Sequence, residues 1–383
     1  MIFDNWNIVE WSLASALVVL FLAQVYWYSR YLAAPARKMR RSQKAKDESQ
    51  KQEETPGVSV VLCAHNEAYN LSQYLQALLT QDYPEYEVIV VDDGSEDDTR
   101  TVVESYLAHD KRLHLTFVPY GARVGSTKKL ALTLAAKSAQ YDYLLLTDAD
   151  CVPESKHWIR QMVSGFEQGK DIVLGFGAYF MEKSHVNRLV QYDTLFNGLH
   201  YLGAALCGHP YMGVGRNLAY RKSLFFESGG FTHLMTNRAG DDDLFVNHVA
   251  TKQNTAVVLT RESLTWSPAK KTLKEWLHQK RRHLSVSPAY RTETKARLAF
   301  EPMTRGLFYL LVIAVVAWFQ WSVVSLAAFG LFLVRWMMQT AILNVSARRL
   351  GLRRLSMWTV LWFDIALPLV NLYMLIVPKK YKW

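Results

Sequence analysis

The apolar residues of this chain fall into runs of two kinds, and the contrast divides the sequence. Residues 9–29 are almost continuously apolar, rich in Leu, Val and Ala, and end in Tyr26, Trp27 and Tyr28. About 20 apolar residues cross a bilayer as a helix, and an aromatic cluster suits the interface. Basic residues follow this run rather than precede it, so it reads as an uncleaved anchor with its N-terminus outside, not as a signal peptide. From residue 58 short apolar runs alternate with helical stretches. Residues 58–63, 87–91, 114–118 and 143–147 read as buried strands, and residues 71–80, 99–108 and 128–138 as the helices between them. That alternation predicts an α/β fold, a mostly parallel sheet with helices on both faces and its ligand site at the carboxyl ends of the strands.

After residue 305 the chain turns apolar again. Residues 306–319, 323–342 and 357–377 are candidate membrane helices, the first two joined tightly through Gln320. Arg335 and Asp364 lie inside these runs, where a charge is costly and is expected to face protein or water. If all four segments cross, Lys379, Lys380 and Lys382 fall outside, against the positive-inside rule. One C-terminal segment is therefore expected to be re-entrant or interfacial. The expected organisation is an anchor (1–30), a basic linker (31–56), a soluble domain (57–300, with interfacial helices near 270–300) and a membrane region (301–383).

Composition narrows the classes. Half of the 383 residues are hydrophobic and 20% are charged, which excludes a disordered chain. Much of the net charge of +10 sits beside apolar segments, at Arg37, Lys38, Arg40, Arg41, Lys44 and Lys46 and again at Arg348, Arg349, Arg353 and Arg354. These read as cytoplasmic flanks drawn to anionic membrane lipid. No nucleic acid partner is expected, because no basic–aromatic binding motif accompanies the charge. Cys63, Cys151 and Cys207 form no CxxC pair, and Gly213-Val-Gly215 lacks the third glycine of a dinucleotide loop.

The chemistry gathers where strands end. The first runs into Ala64-His65-Asn66-Glu67, the second into Asp92-Asp93-Gly94-Ser95 and the fourth into Thr147-Asp148-Ala149-Asp150. Each acid alone reads as a strand-ending turn residue. Five carboxylates at one sheet edge repel one another unless a cation or hydrogen-bond donors receive them.

Taken in order, VSVVLCAHNEAYNL, YEVIVVDDGSEDDT, LLLTDAD, AGDDDLF and QKRRH resemble the motifs of the family 2 inverting glycosyltransferases, over residues 58–283. The resemblance implies a GT-A-like nucleotide-diphospho-sugar transferase domain with a mixed, mostly parallel sheet, between N- and C-terminal transmembrane helices. It implies Mg²⁺ or Mn²⁺ at Asp150, with Asp148 toward the metal or the ribose. It puts Asp93 on the nucleobase, with Asn66, Glu67 and Asp92 in the same donor pocket. Lys128 stands where the family often has a basic residue near the donor, although a solvated lysine opening a helix reads as well. In the Gly240-Asp241-Asp242-Asp243 run, Asp241 aligns with the catalytic base and Asp242 replaces it if the register differs by one. Gly240 stands where Glu is more usual. In Gln279-Lys280-Arg281-Arg282-His283, Arg282 would pair with the diphosphate and Gln279 would orient it or the acceptor, His283 standing in place of Trp. A basic amphipathic helix on the membrane surface also fits this segment. Residues 209–217 resemble the acceptor-side segment.

The implied partners are a nucleotide-diphosphate sugar, a UDP-sugar first, and a lipid or saccharide acceptor, at the cytoplasmic face of the inner membrane. Two alternatives are a catalytically silent membrane scaffold of the same fold, which could dispense with Asp150 or Asp241, and a subunit of a processive polysaccharide synthase.

Overall fold

The computed structural model describes residues 8–46, 55–119, 121, 125–167, 169–235, 237, 239–320 and 322–376. Lys379, Lys380, Lys382 and the end of the basic stretch at Glu54 lie outside the described residues.

The strands are β1 (Val58–Ala64), β2 (Tyr86–Asp92), β3 (Leu113–Phe117), β4 (Tyr143–Leu146), β5 (Val152–Pro153), β6 (Ile172–Leu174), β7 (Gly177–Tyr179), β8 (Leu218–Arg221), β9 (Thr255–Val257) and β10 (Thr265–Ser267). The helices are α1 (Ile8–Trp27), α2 (Ala34–Lys46), α3 (Ala68–Leu79), α4 (Thr99–Leu107), α5 (Thr127–Ser138), α6 (Trp158–Val163), α7 (His185–Leu206), α8 (Lys222–Glu227), α9 (Asp243–Val249), α10 (Leu273–Leu284), α11 (Thr292–Phe319), α12 (Val323–Arg349) and α13 (Met357–Ile376).

Seven strands form the main sheet in the order β3-β2-β1-β4-β8-β6-β9. β1 pairs in parallel with β2 and β4, and β2 with β3, while β8 runs antiparallel to both its neighbours. The sheet is mixed and mostly parallel. Successive residues of β1 enter opposite cores. Val60 and Leu62 pack with Leu71, Leu75 and Leu78 of α3. Val61 packs with Ala131, Leu132 and Ala135 of α5 on the other face. Burial on both faces explains why these strands read as unbroken apolar runs. Each such side chain contributes roughly 1.5–3 kcal/mol. The chain leaves β1 for β2 and β3 on one side and returns to β4 on the other, so the carboxyl ends of β1 and β4 border a topological switch point.

Four helices are long and apolar enough to cross a membrane: the helical stretch that contains α1, and α11, α12 and α13. Gln320, with φ 47°, turns α11 into α12, and α13 is one unbroken helix. Beyond α1 a π-helical turn, Tyr28–Leu32, leads into α2. The basic stretch that suggested a linker is helical over Ala34–Lys46 and packs along α7. Contact there is close. A side chain at Gly203 of α7 would meet the carbonyl oxygen of Tyr31.

Arg335 and Asp364 face protein, not lipid, with 0% and 1% of their surface exposed. Arg335 donates from Nη1 to Asp364 Oδ2 at 2.8 Å, from Nη2 to the Tyr28 hydroxyl at 2.6 Å and from Nε to Gln24 Oε1 at 3.1 Å. Arg305 donates to Asp364 Oδ1 at 2.6 Å and to Glu301 Oε2 at 2.9 Å. Gln339 Nε2 reaches Asp364 Oδ1 and the Tyr192 hydroxyl of α7, at 2.8 and 3.2 Å. Two guanidinium groups thus balance two carboxylates, and the network ties α1, α11, α12 and α13 to the soluble domain.

Candidate active site

Asn66 ends β1 in the left-handed region, φ 57°, which asparagine tolerates better than most residues. Its N–H donates to Ser95 Oγ and its Oδ1 accepts from the Glu96 N–H, at 3.0 and 2.8 Å. Asp92 Oδ1 accepts from the Ser95 N–H at 2.9 Å. Asn66 and Asp92 therefore brace the β2–α4 loop. Glu67 accepts from Asn70 Nδ2 at 2.5 Å, and burial raises its pKa. Asp93 is left facing the opening. Its Oδ2 accepts from Thr127 Oγ1 of α5 at 2.8 Å, and burial raises its pKa too.

The α5 helix opens on Ser126, whose Oγ accepts from the Lys129 N–H. Its next two lysines do different things. Lys128 Nζ sits 3.1 Å from Asp148 Oδ1 and 2.9 Å from Asp241 Oδ2, joining the β4 motif to the acidic run before α9. Burial opposes its charge, but Asp148 and Asp241 hold its pKa well above the ordinary value. Lys129 is fully buried and donates to the carbonyls of Leu234, Asn237 and Ala239 at 2.6–2.9 Å. That clasp fixes the approach to Gly240, whose φ of 89° lets the chain turn into Asp241.

The three aspartates of the run separate by environment. Asp242 accepts the N–H groups of Gly215 and Asp243, both at 2.7 Å, and so caps α9. Asp243 accepts from the Leu244 N–H and from the Tyr290 hydroxyl at 2.7 and 2.8 Å. Burial, followed by repulsion from Asp242, lifts its pKa to about 7. Asp241 alone is bound to a mobile type of cation, a lysine. Burial pushes its pKa up, but Lys128's charge and hydrogen bond outweigh that and hold it below the usual range.

Asp148, Asp150 and Cys151 offer ligand atoms within 4.8 Å of one another. Burial and then repulsion from Asp148 raise the pKa of Asp150. Burial keeps Cys151 a protonated thiol, and its Sγ donates to Asp150 Oδ1 at 3.4 Å. Two carboxylates whose repulsion is only partly relieved suit a hard divalent cation, and the thiol does not compete as a ligand. The five acids expected at one edge do converge. Cys63, at the end of β1, feels Lys128, Asp241, Asp148 and Asp93, while Glu67 feels Asp150 and Asp148.

The Gln279 segment forms α10. Gln279 Nε2 donates to the Tyr179 hydroxyl at 3.0 Å, and the Tyr179 ring lies 4.1 Å beneath the Arg216 guanidinium. Arg216 donates to the Ala178 carbonyl and Ser267 Oγ, both at 3.0 Å, and its charge acts on Asp150. Arg282 is exposed on α10. Through Tyr179, Gln279 of α10 is also linked to a second guanidinium near the carboxylates, that of Arg216. In residues 209–217, Gly215 meets Asp242, whereas Asn217 is fully buried, donating to the carbonyls of Phe176 and Ser263. Arg216, Tyr179, Lys129 and Thr127 were not among the sequence candidates. Only Arg216, beside two glycines in the expected acceptor segment, carried a signal that could have drawn notice.

The same architecture occurs in the mannosyltransferase PcManGT from Pyrobaculum calidifontis, solved in complex with GDP-Man and Mn²⁺. The two share a TM-score of 0.51 at 18% identity, over 87% of this chain and 99% of that one. The likeness in architecture and sheet order shows a GT-A-like fold. Residues 59–229 match the model of Glycosyl transferase family 2. Poly-beta-1,6-N-acetyl-D-glucosamine synthase of Staphylococcus epidermidis is 30% identical over 131 residues, which is 33% of this chain and 30% of that protein. The probable glycosyltransferase YdaM of Bacillus subtilis is 25% identical over 239 residues, covering 60% and 54%. The chain spans less than two thirds of these curated relatives.

Proposed function

We propose that this chain is a membrane-bound inverting transferase that moves a sugar from a nucleotide-diphosphate donor to a hydroxyl of a lipid or saccharide acceptor. The observation that carries the reading is the Lys128 bridge. One cation touches both Asp148, beside the strand-end acids, and Asp241, the acid of the run that pairs with a lysine. In the proposed reaction the acceptor oxygen bonds to the anomeric carbon from the face opposite the diphosphate. The bond from that carbon to the phosphate oxygen breaks, and its electron pair leaves with the diphosphate. Asp241 takes the acceptor's proton. Asp93, Asn66 and Glu67 line the donor's nucleoside end, and Lys128 and Arg216 face its phosphates. Asp148 and Asp150 would hold Mg²⁺ or Mn²⁺, which when bound neutralises charge on the leaving diphosphate.

Lys128 also conditions the base. While it is paired to Asp241, that carboxylate is a poor proton acceptor. A donor diphosphate competes for the ammonium and releases Asp241, so basicity rises as the donor binds. Asp242, both of whose oxygens accept backbone N–H groups, serves as the cap that places Asp241.

The names of relatives that build polysaccharides support a saccharide acceptor. The four apolar helices support a multi-pass protein of the inner membrane. Basic residues after α1 and between α12 and α13 would then share the catalytic domain's side, which the positive-inside rule makes cytoplasmic. Calorimetry and turnover of Asp241→Asn test the assignment. Donor binding should persist while transfer falls by about two to four orders of magnitude. Lost donor binding, or retained transfer, would remove Asp241 from the role of base.

A further inference from the structure

A second site lies where α7 leaves the sheet and the loop between α12 and α13 passes beneath it. A cleft of about 210 Å³ opens there, lined by Glu182, Asn187, Arg188, Gln191, Arg353 and Arg354 and floored by the hydroxyls of Ser356 and Thr359. Three guanidinium groups face one carboxylate. Among the described residues Arg188, Arg353 and Arg354 make no side-chain hydrogen bond or ion pair, although Arg305 and Arg335 of the membrane network each pair with an acid. An exposed cluster of like charge that the protein itself leaves uncompensated points to an anion from outside.

The backbone that carries Arg353 and Arg354 is held from behind. Asn344 of α12 donates to the Leu355 carbonyl and accepts the Leu355 N–H, at 3.0 and 2.8 Å. Leu352 and Leu355 are buried on either side of the pair. The opposite wall is as firm. Asn187 is buried, donating to the Phe180 carbonyl at 2.9 Å, and Gln191 donates to the carbonyls of Tyr179 and Phe180 at 2.8 and 3.2 Å. Guanidinium groups carried on a braced backbone, in a cleft also lined by hydroxyls, suit phosphate oxygens.

The cleft's position selects the phosphate's source. It opens at the start of α13, whose Trp358 and Trp362 are 73% and 69% exposed, as aromatic side chains at a bilayer interface are. The loop that carries Arg353 and Arg354 follows directly on Arg348 and Arg349 at the end of α12. We infer that this cleft binds the phosphate of an anionic membrane lipid, holding the lipid headgroup against the base of the catalytic domain. The inference rests on the membrane-spanning reading of α12 and α13. It also places a lipid on the wall that carries Tyr179, the residue beneath Arg216.

Flotation of the full-length chain with vesicles of pure phosphatidylcholine tests the membrane reading by itself. Native mass spectrometry of detergent-solubilised chain, titrated with phosphatidylglycerol or phosphatidylcholine, tests the cleft. Phosphatidylglycerol should be retained about tenfold more than phosphatidylcholine. The triple variant Arg188→Gln, Arg353→Gln, Arg354→Gln should lose that preference, while Glu182→Gln, which removes the one opposing charge, should raise it about two- to threefold. Equal retention of both lipids by the parent chain would overturn the inference, as would an unchanged preference in both variants. Complete displacement of the lipid by millimolar inorganic phosphate would overturn the lipid assignment in favour of a soluble anion.

Discussion

Lys128→Met separates the proposed base, Asp241, from the cation that restrains it. The two charges stand 2.9 Å apart. Their attraction is about 6 kcal/mol at an effective dielectric of 20 and about 1.4 kcal/mol in bulk water. The Lys128 side chain is 41% exposed, so the screened end of that range governs, and about 2 kcal/mol is the reasonable figure. At 1.36 kcal/mol per pKa unit this is roughly 1.5 units. The sign follows from Asp241 being depressed by the pairing. Without Lys128 the carboxylate keeps its proton to higher pH, so the acidic limb of kcat/KM should move upward by roughly 1–2 units. That limb reports the free enzyme, in which the ion pair exists. The assay is release of nucleoside diphosphate followed from about pH 4 to pH 9 at low donor concentration. KM for the donor should rise as well, since the ammonium also faces the phosphates. A limb that stays in place or moves toward acid would refute the restraint, and so would the same limb surviving in Asp241→Asn.

Three further outcomes follow from the structure. Asp150→Ala should abolish Mn²⁺-supported transfer while the fold persists by circular dichroism; full activity would remove the metal assignment. Asp243, with a pKa near 7 against an ordinary value near 4, binds more protons folded than unfolded across that interval, so its contribution to stability is present at low pH and lost as pH rises through 7. Asp243→Asn, which fixes the neutral form, should therefore gain in melting temperature over the parent, and the gain should widen from about pH 5 to about pH 8. Asp364→Asn leaves Arg305 and Arg335 short of a buried countercharge and should cost about 3–5 kcal/mol, read as a lowered melting temperature in detergent.

Much of the fold was legible because its central strands are buried on both faces. β1, β2 and β4 stand out as apolar runs, and each delivers its acids at the carboxyl end, as the alternating pattern required. β3, at the sheet edge and half exposed, begins one residue before the expected start. The second half of the main sheet and the small sheet β5-β10-β7 were not legible. β6 and β9 of the first and β7 and β10 of the second are three residues each, too short for any periodicity, and the antiparallel direction of β8 is set by tertiary pairing alone. That is also why Arg216 escaped notice: it is positioned by Ala178 and Ser267, which lie in two such strands. Lys128 and Lys129 show a different limit. Neighbours on a helix turn about 100° apart, so one reaches the acids and the other the buried loop, and nothing in the pair Lys-Lys says which does which.

The fit of Tyr31 against Gly203 has a mechanical meaning. A transferase hung from the bilayer on a slack tether could present its base to hydroxyls over a wide range of heights. Here the anchor is bolted to the catalytic body through a backbone contact with no room even for a methyl group. On the proposed reading, with α1 in the bilayer and Asp241 as base, the elevation of that carboxylate over the lipid would be a constant of the fold. An acceptor would then have to bring its reactive hydroxyl to that fixed altitude, with its own length as the ruler.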